Sequence, residues 1–421
     1  MIKVSEFKDR REKLYRNLDD DSCLVLFSGI SKLRSADEDY NFSVNTNFYY
    51  LTNIKQEGSV LLVTKTHGLI KEYLFIQPFD EIKEKWTGKR LTPIEAKTLS
   101  GINNILFNTT FEAELKMILE DRVHYADISK VYLDLDREQK IGEDAYVSNF
   151  HQGMSMNYSS ITFEDVYEKI IRLRMVKSTA EIEEFKEAIS KTNIGIQAIL
   201  KNLRPGKYEY QLSSLFYYTV QDYDYSELSF PTIAAAGVNA TCLHYPTPLS
   251  KCQDGDLILF DLGARNNFYC ADISRTFPIN GKFNPLQKTI YNIVLECNKL
   301  IVRSIRPGVT IAQLQEITVN FLAKECVKAK LIKEESEISN YYFHNISHHI
   351  GLDTHDPSIR SLPLVPGNVI SDEPGLYFKE LGIGVRIEDD ILVTEDGSFN
   401  LSGIIIKEVE DIENAMAYCR D

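Results

Sequence analysis

The second half of the chain repeats itself, and the repeat restricts that half to two related units packed together. Arg204-Pro205-Gly206 is followed by Gln211-Leu212, and Arg306-Pro307-Gly308 by Gln313-Leu314, at an offset of 102 residues. Further on, Asp254-Gly255-Asp256 leads to Asp261, six residues after its Gly, and Pro366-Gly367-Asn368 leads to Glu373 at the same spacing. Asp272 then corresponds to Glu388, with the offset rising through 112 to 116 as connecting loops diverge. The Gly- and Pro-containing turns read as breakers and helix starts, not as phosphate loops.

Each half sets two acids on a hairpin. Leu257-Ile258-Leu259-Phe260-Asp261-Leu262-Gly263 and Phe268-Tyr269-Cys270-Ala271-Asp272-Ile273-Ser274-Arg275-Thr276-Phe277 are two strand-like runs. Between them lies Asn266-Asn267, residues that tolerate left-handed backbone. A turn centred there puts Asp261 opposite Asp272. Glu373 and Glu388 flank a second hairpin, centred on Glu380-Leu381. Facing Cβ atoms in a ladder lie about 4.5–5.5 Å apart, and like charges so placed are destabilising unless a cation lies between them. Four acids titrating near pH ~4 carry about four negative charges at neutral pH, which two divalent cations would neutralise.

A further ligand is sought among the histidines. His344, His348, His349 and His355 crowd one stretch, and His244 lies in the equivalent region of the first half. Oxygen ligands with one imidazole suit Mn(II), Co(II) or Zn(II), and the carboxylate excess favours Mn(II). A paired site lowers the pKa of a bridging water and holds the hydroxide for attack on an amide, so the reaction class is metal-assisted hydrolysis.

Upstream, Cys23-Leu24-Val25-Leu26-Phe27, Ser59-Val60-Leu61-Leu62-Val63 and Glu72-Tyr73-Leu74-Phe75-Ile76 read as buried strands between helical stretches. That alternation predicts an α/β domain. Near residue 170 the pattern changes to long helices. Ser178-Thr179-Ala180-Glu181 is a capping box, and Ile182, Phe185, Ile189, Ile196, Ile199 and Leu200 recur on one face behind it. The expected domains are 1–165 and 166–421, in an α/β (α+β) chain. A net charge of -14 argues against nucleic-acid phosphates as partner. No apolar run approaches the length of a membrane span, and the first residues lack the apolar core of a signal peptide. The seven cysteines form no CxxC pair and read as buried small hydrophobes in a reducing compartment, so the expected location is cytoplasmic.

The strings His344-Asn345-Ile346-Ser347-His348-His349-Ile350-Gly351-Leu352-Asp353-Thr354-His355-Asp356, Asp372-Glu373-Pro374-Gly375-Leu376-Tyr377 and Gly384-Val385-Arg386-Ile387-Glu388-Asp389-Asp390 resemble the signature of the Xaa-Pro peptidases with the pita-bread fold. Asp261 and the Ala271–Phe277 segment belong to the same pattern. The chain is most similar to aminopeptidase P over essentially its whole length, including Arg34-Ser35-Ala36-Asp37, Asn45–Thr52 and Trp86-Thr87-Gly88-Lys89-Arg90 in the first domain. The resemblance implies an N-terminal α/β domain and a C-terminal pita-bread domain of two pseudo-symmetric halves. It implies two metal ions, with Asp261 on one, Asp272 and Glu388 bridging, and His348 and Glu373 completing the other. Glu373 would also be the general base, His244 and His355 would support the oxyanion, and His344, Tyr377 and Arg386 would back the ligands or touch substrate. Asp37 is a candidate to meet the cleft. His349 is read as packing, and Asp372, Asp389 and Asp390 as surrounding the site without binding metal.

Compared with many aminopeptidase P sequences, the connection from Tyr377 to Gly382 is short, Ser43 stands where Arg is common, and Asn53 replaces a common Gly. The implied activity is removal of an N-terminal residue from peptides with proline second, by a homodimer or homotetramer. Prolidase, which shares the metal set but takes only dipeptides, is the nearest alternative, and a non-catalytic pita-bread binding module the alternative of another class.

Overall fold

In the computed structural model, which describes residues 2–125, 127–135, 145–224 and 226–418, contacts divide the chain into two units, 2–174 and 175–421. The three apolar runs near the N-terminus form strands Ser22–Phe27, Val60–Thr66 and Leu69–Ile76, consecutive members of a six-stranded sheet. They pair antiparallel with one another, while Asn104–Phe107, Lys130–Leu133 and Thr162–Asp165 extend the sheet in parallel. Ser22–Phe27 is buried at every position, as a strand covered on both faces requires. Helix Phe111–Glu120 packs Phe111, Leu115 and Ile118 against this sheet.

The second unit has the two-half architecture of a pita-bread domain. Its first half carries helices Thr179–Asn202 and Glu209–Tyr223, and its second carries Pro285–Ser304 and Ile311–Lys328. Ser178 and Glu181 form the anticipated capping box, and Ile182, Phe185, Ile189, Ile196, Ile199 and Leu200 are all buried. The repeated glutamines have one shared task. Gln211 Oε1 accepts the N–H of Tyr208 at 3.0 Å and Gln313 Oε1 that of Thr310 at 2.9 Å, so each closes the first turn of its helix. The repeated glycines before them, Gly206 and Gly308, have φ of 93° and 89°, a left-handed conformation that favours glycine.

Each half also carries a three-stranded antiparallel sheet. In the first, Leu257–Leu262 lies between Ile273–Pro278 and Ile233–Ala236; in the second, Asp389–Val393 lies between Val369–Asp372 and Ser398–Asn400. The second hairpin has the anticipated register: Gly375 faces Arg386 and Asp372 faces Asp389, which centres the turn on Glu380-Leu381.

The first hairpin corrects the sequence reading. Asp261 faces Ser274, not Asp272, and the turn is centred on Asn267-Phe268, whose φ angles of 45° and 72° are both positive. Tethers hold this turn: the Asn266 and Asn267 amides donate to Glu184 Oε2 at 2.5 and 2.8 Å, and the Arg265 guanidinium lies 4.5 Å from the Phe268 ring centre. A shift of two residues in pairing keeps Asp261 and Asp272 on one face of the pleat. The continuous second strand also breaks, into Tyr269–Cys270 and Ile273–Pro278, with Asp272 at the break.

Five cysteines, Cys23, Cys252, Cys270, Cys297 and Cys326, are buried free thiols, whereas Cys242 is exposed at the end of the turn Gly237–Thr241. Cys419 lies outside the described residues. Among the described residues no helix is long and apolar enough to cross a membrane.

At the strand break the two arms of the first hairpin come close enough to exclude a side chain. A Cβ on Gly263 would lie 1.9 Å from the carbonyl oxygen of Ala271. Gly263→Ala is expected to lower unfolding free energy by about 3 kcal/mol or more in urea titrations, since overpacking of this kind displaces backbone. Gly397→Ala, with no atom within 4 Å of the added carbon, is the control and is expected to leave the midpoint in place.

Candidate metal centre

The two acids of the second half sit in a gap in their own ladder. Glu373 and Glu388 fall between the paired segments of the long hairpin, so their backbone N–H groups bond elsewhere. Glu373 donates to the carbonyl of Ile346 at 3.0 Å and Glu388 to that of Ser274 at 3.0 Å. The first bond fixes the acid to the histidine-bearing segment, and the second fixes it to the other half. A third stitch runs between Ser371 and His348: the His348 N–H donates to Ser371 Oγ at 2.9 Å, and the Ser371 N–H to the His348 carbonyl at 2.9 Å.

These stitches bring together all five residues singled out as metal ligands. Ligand atoms of Asp261, Asp272 and Glu388 lie within 4.8 Å of one another, as do those of His348, Glu373 and Glu388. A third such set is Asp272, His348 and His355. Glu388 belongs to the first two sets, and Asp272 lies 3.3 Å from His348 Nε2.

The electrostatics of the cluster are those of a site short of positive charge. Burial and the neighbouring Asp261, Asp390 and Glu373 push the Asp272 carboxyl well above its ordinary range. Burial, Asp272 and Glu373 do the same to Glu388, and burial raises Glu373. One cation answers them directly: Arg386 Nη2 donates to Asp261 Oδ2 at 2.6 Å, while the other oxygen, Asp261 Oδ1, is buried without a hydrogen-bond partner. The histidine points the same way. His348 Nδ1 lies 3.0 Å from the His349 carbonyl, which can only accept, so Nδ1 is the donor there. Nε2 is thereby turned toward Asp272 Oδ2 at 3.3 Å and Glu373 Oε1 at 3.6 Å, where a metal ion would be held. The residues present therefore fit divalent metal, with an imidazole oriented by a backbone carbonyl as metal-binding histidines usually are.

Behind the ligands runs a chain of neutral and charged groups. Arg386 Nε donates to Ser274 Oγ at 2.7 Å, and Ser274 Oγ donates to Glu388 Oε2 at 2.7 Å. Arg386 Nη1 donates to Tyr377 Oη at 3.1 Å, and the tyrosine hydroxyl donates to His344 Nε2 at 2.8 Å. Burial and Arg386 push His344 down to about 4, so its ring is neutral at pH 7, and burial pushes Tyr377 up to about 12. Asp389 does not join the ligands: despite burial, Arg275 and Lys407 hold its carboxyl far below the usual range. Asn298 Nδ2 reaches Asp372 Oδ2 at 3.1 Å, and Asp390 accepts from the Asp272 N–H at 3.3 Å. His349 is buried beside Ile370.

The cluster forms the floor of a cavity of about 550 Å³. His244, His344 and His355 line it, and the His355 ring lies 4.0 Å from that of His348, centre to centre. One wall is apolar, from Phe230, Pro231, Ile233, Leu243, Tyr245 and Pro246. Asp37 belongs to the other unit, on the exposed turn between strands Leu33–Ser35 and Glu38–Asp39. Sequence reasoning missed Ser274, Ser371, Arg360 and the apolar wall. Ser274 stands within a recognised string, but a small hydroxyl leaves no periodic signal, and only the corrected register shows that it faces Asp261.

The chain is similar to known proteins along its whole length. The model of metallopeptidase family M24 matches residues 183–395, and that of the aminopeptidase P N-terminal domain matches residues 7–125. A Xaa-Pro aminopeptidase of Escherichia coli is 32% identical over 444 residues, covering 100% of this chain and 99% of its own. Among solved structures, a putative aminopeptidase P from Bacillus anthracis superposes with a TM-score of 0.96 at 41% identity, covering 99% of both chains. Zinc-substituted E. coli aminopeptidase P in complex with product gives 0.91 at 30% identity, covering 100% of this chain and 99% of that one.

Because the raised carboxyls must lose protons to take up metal, affinity is expected to depend on pH. Calorimetric titration of Mn(II) into metal-free protein should show affinity rising from about pH 5 to about pH 8, with protons released on binding. Pronounced binding without proton release at the acid end would contradict the charge balance described.

Proposed function

The chain belongs to metallopeptidase family M24, and on that premise we propose that it is a metal-dependent aminopeptidase hydrolysing the bond between an N-terminal residue and a following proline. The observation that carries the reading is the union of five ligand-type side chains at the floor of a cavity with an apolar wall. Its full-length likeness to Xaa-Pro aminopeptidases supports this specificity over that of a prolidase. A non-catalytic module would have no use for so costly a gathering of buried acids.

Two divalent ions fit the cluster, because its two carboxylate-rich sets share Glu388. Asp261 would serve one ion, His348 and Glu373 the other, with Asp272 and Glu388 between them. Mn(II) suits the oxygen-rich set best. When bound, the metal supplies Lewis acidity and an attacking water of lowered pKa.

The chain's own residues do the rest. Glu373, raised by burial, is suited to accept a proton from the attacking water and to pass it to the departing imino nitrogen. His244 and His355, on the cavity wall, can donate to the carbonyl oxygen as it gains charge. Arg386 holds Asp261 and, through Tyr377, the ring of His344. An Xaa-Pro bond has no N–H to recognise, so the ring must be read by shape, and the wall of Phe230, Pro231 and Ile233 offers that surface.

A peptide-length series on protein of measured metal content tests the reading. Cleavage of Xaa-Pro-Xaa peptides with about two Mn(II) bound is expected, and Glu373→Ala should lower turnover by ~10²-fold or more while the fold persists. Cleavage of the Xaa-Pro dipeptide alone would make the protein a prolidase, and no cleavage with Mn(II), Co(II) or Zn(II) would favour a binding module.

A further inference from the structure

We propose that Glu209 is a positioning residue for His244, a role that rests on the peptidase reading above. The repeat first draws attention to it. Glu209 lies between the Arg-Pro-Gly turn and the capping glutamine of the first half, and the residue 102 positions later in the second half is Ile311. Helix capping alone therefore does not call for an acid there, and the acid occurs in the half that carries His244.

Glu209 is the first residue of helix Glu209–Tyr223 and is fully buried. Its Oε1 accepts the N–H of Ala236 at 2.7 Å and the side-chain amide of Asn239 at 2.9 Å. Its Oε2 accepts the N–H of Ser250 at 2.8 Å and the hydroxyl of Tyr245 at 3.2 Å. All four donors are neutral, and all belong to the stretch 236–250. Ala236 ends a strand of the first-half sheet, Ser250 begins the return, and Leu243, His244 and Tyr245 on the cavity wall lie between them. One carboxylate thus closes both ends of the loop that carries His244, and also holds its neighbour Tyr245. The Glu209 backbone adds to the closure, donating its N–H to the Ser250 carbonyl at 3.0 Å. Fixing the ends of a loop narrows the conformations open to the residues between them, and a carboxylate is the acceptor with enough lone pairs to receive four donors at once.

Glu209→Gln keeps the size of the side chain but turns an amide N–H₂ toward groups that themselves donate. Hydrogen exchange and peptide kinetics on the full-length, Mn(II)-loaded protein test the role. In Glu209→Gln the amides of 236–250 should exchange ~10-fold faster or more, with strands Ile273–Pro278 and Asp389–Val393, which flank Asp272 and Glu388, unchanged. The fall in kcat should approach that of His244→Ala, and Glu209→Gln should cost nothing further in the His244→Ala background. Losses that multiply, or faster exchange throughout 175–421, would overturn the proposal. If Glu209→Gln does not fold, Tyr245→Phe, which removes one of the four donors, should give a smaller effect with the same non-additivity. A wild type that cleaves no Xaa-Pro peptide would defeat the functional reading, while the exchange data would still decide whether Glu209 orders the loop.

Discussion

Repulsion among buried carboxylates is the constraint on which the catalytic unit is built. Asp261, Asp272, Glu373 and Glu388 converge with one guanidinium in direct contact, and three of the four carboxyls are pushed upward by burial and by one another. Such a gathering is stable only if the surrounding fold forces it and a cation completes it. The forcing is visible in the backbone. Glu388 is tied to Ser274 across the pseudo-symmetric halves, and Glu373 to the segment leading to His348, so no acid can retreat without breaking a hydrogen bond elsewhere.

Arg386 has a double place in that balance. It neutralises part of Asp261 while Ser274 relays its other contact to Glu388, so one guanidinium touches the acid systems of both halves. Its remaining arm orders Tyr377 and, through it, a neutral His344. The acids beyond the ligands are separated from them chemically. Asp389 is committed to Arg275 and Lys407, which keeps a charged group one residue from Glu388 out of the metal set.

Much of this was legible in the sequence because the duplication compared the chain with itself. Two acids alone on a hairpin mean little; acids at equivalent places in two halves predict convergence, and the second hairpin has the register its sequence implied. The first hairpin was misread by two residues because Phe268, a poor left-handed residue by type, takes a positive φ that its sequence does not advertise. The Glu184 side chain, from a distant segment, tethers the turn, and Arg265, three residues before Phe268, lies against its ring. The same limit hid Ser274, Ser371 and Glu209, whose roles depend on partners far along the chain rather than on local pattern. Cys242 was misplaced for a related reason: nothing in its flanks shows that its own side chain lies at the surface.

The stitch between Ser274 and Glu388 has a consequence for synthesis. A ribosome adding ~5–20 residues per second needs on the order of ten seconds to pass from the first acid, Asp261, to the last, Glu388. During that interval the nascent first half holds Asp261 and Asp272 without the residues that complete their shell. Arg386, the cation that answers Asp261, emerges just ahead of Glu388, so charge compensation and ligand completion arrive almost together. The full ligand set thus exists only near the close of chain production.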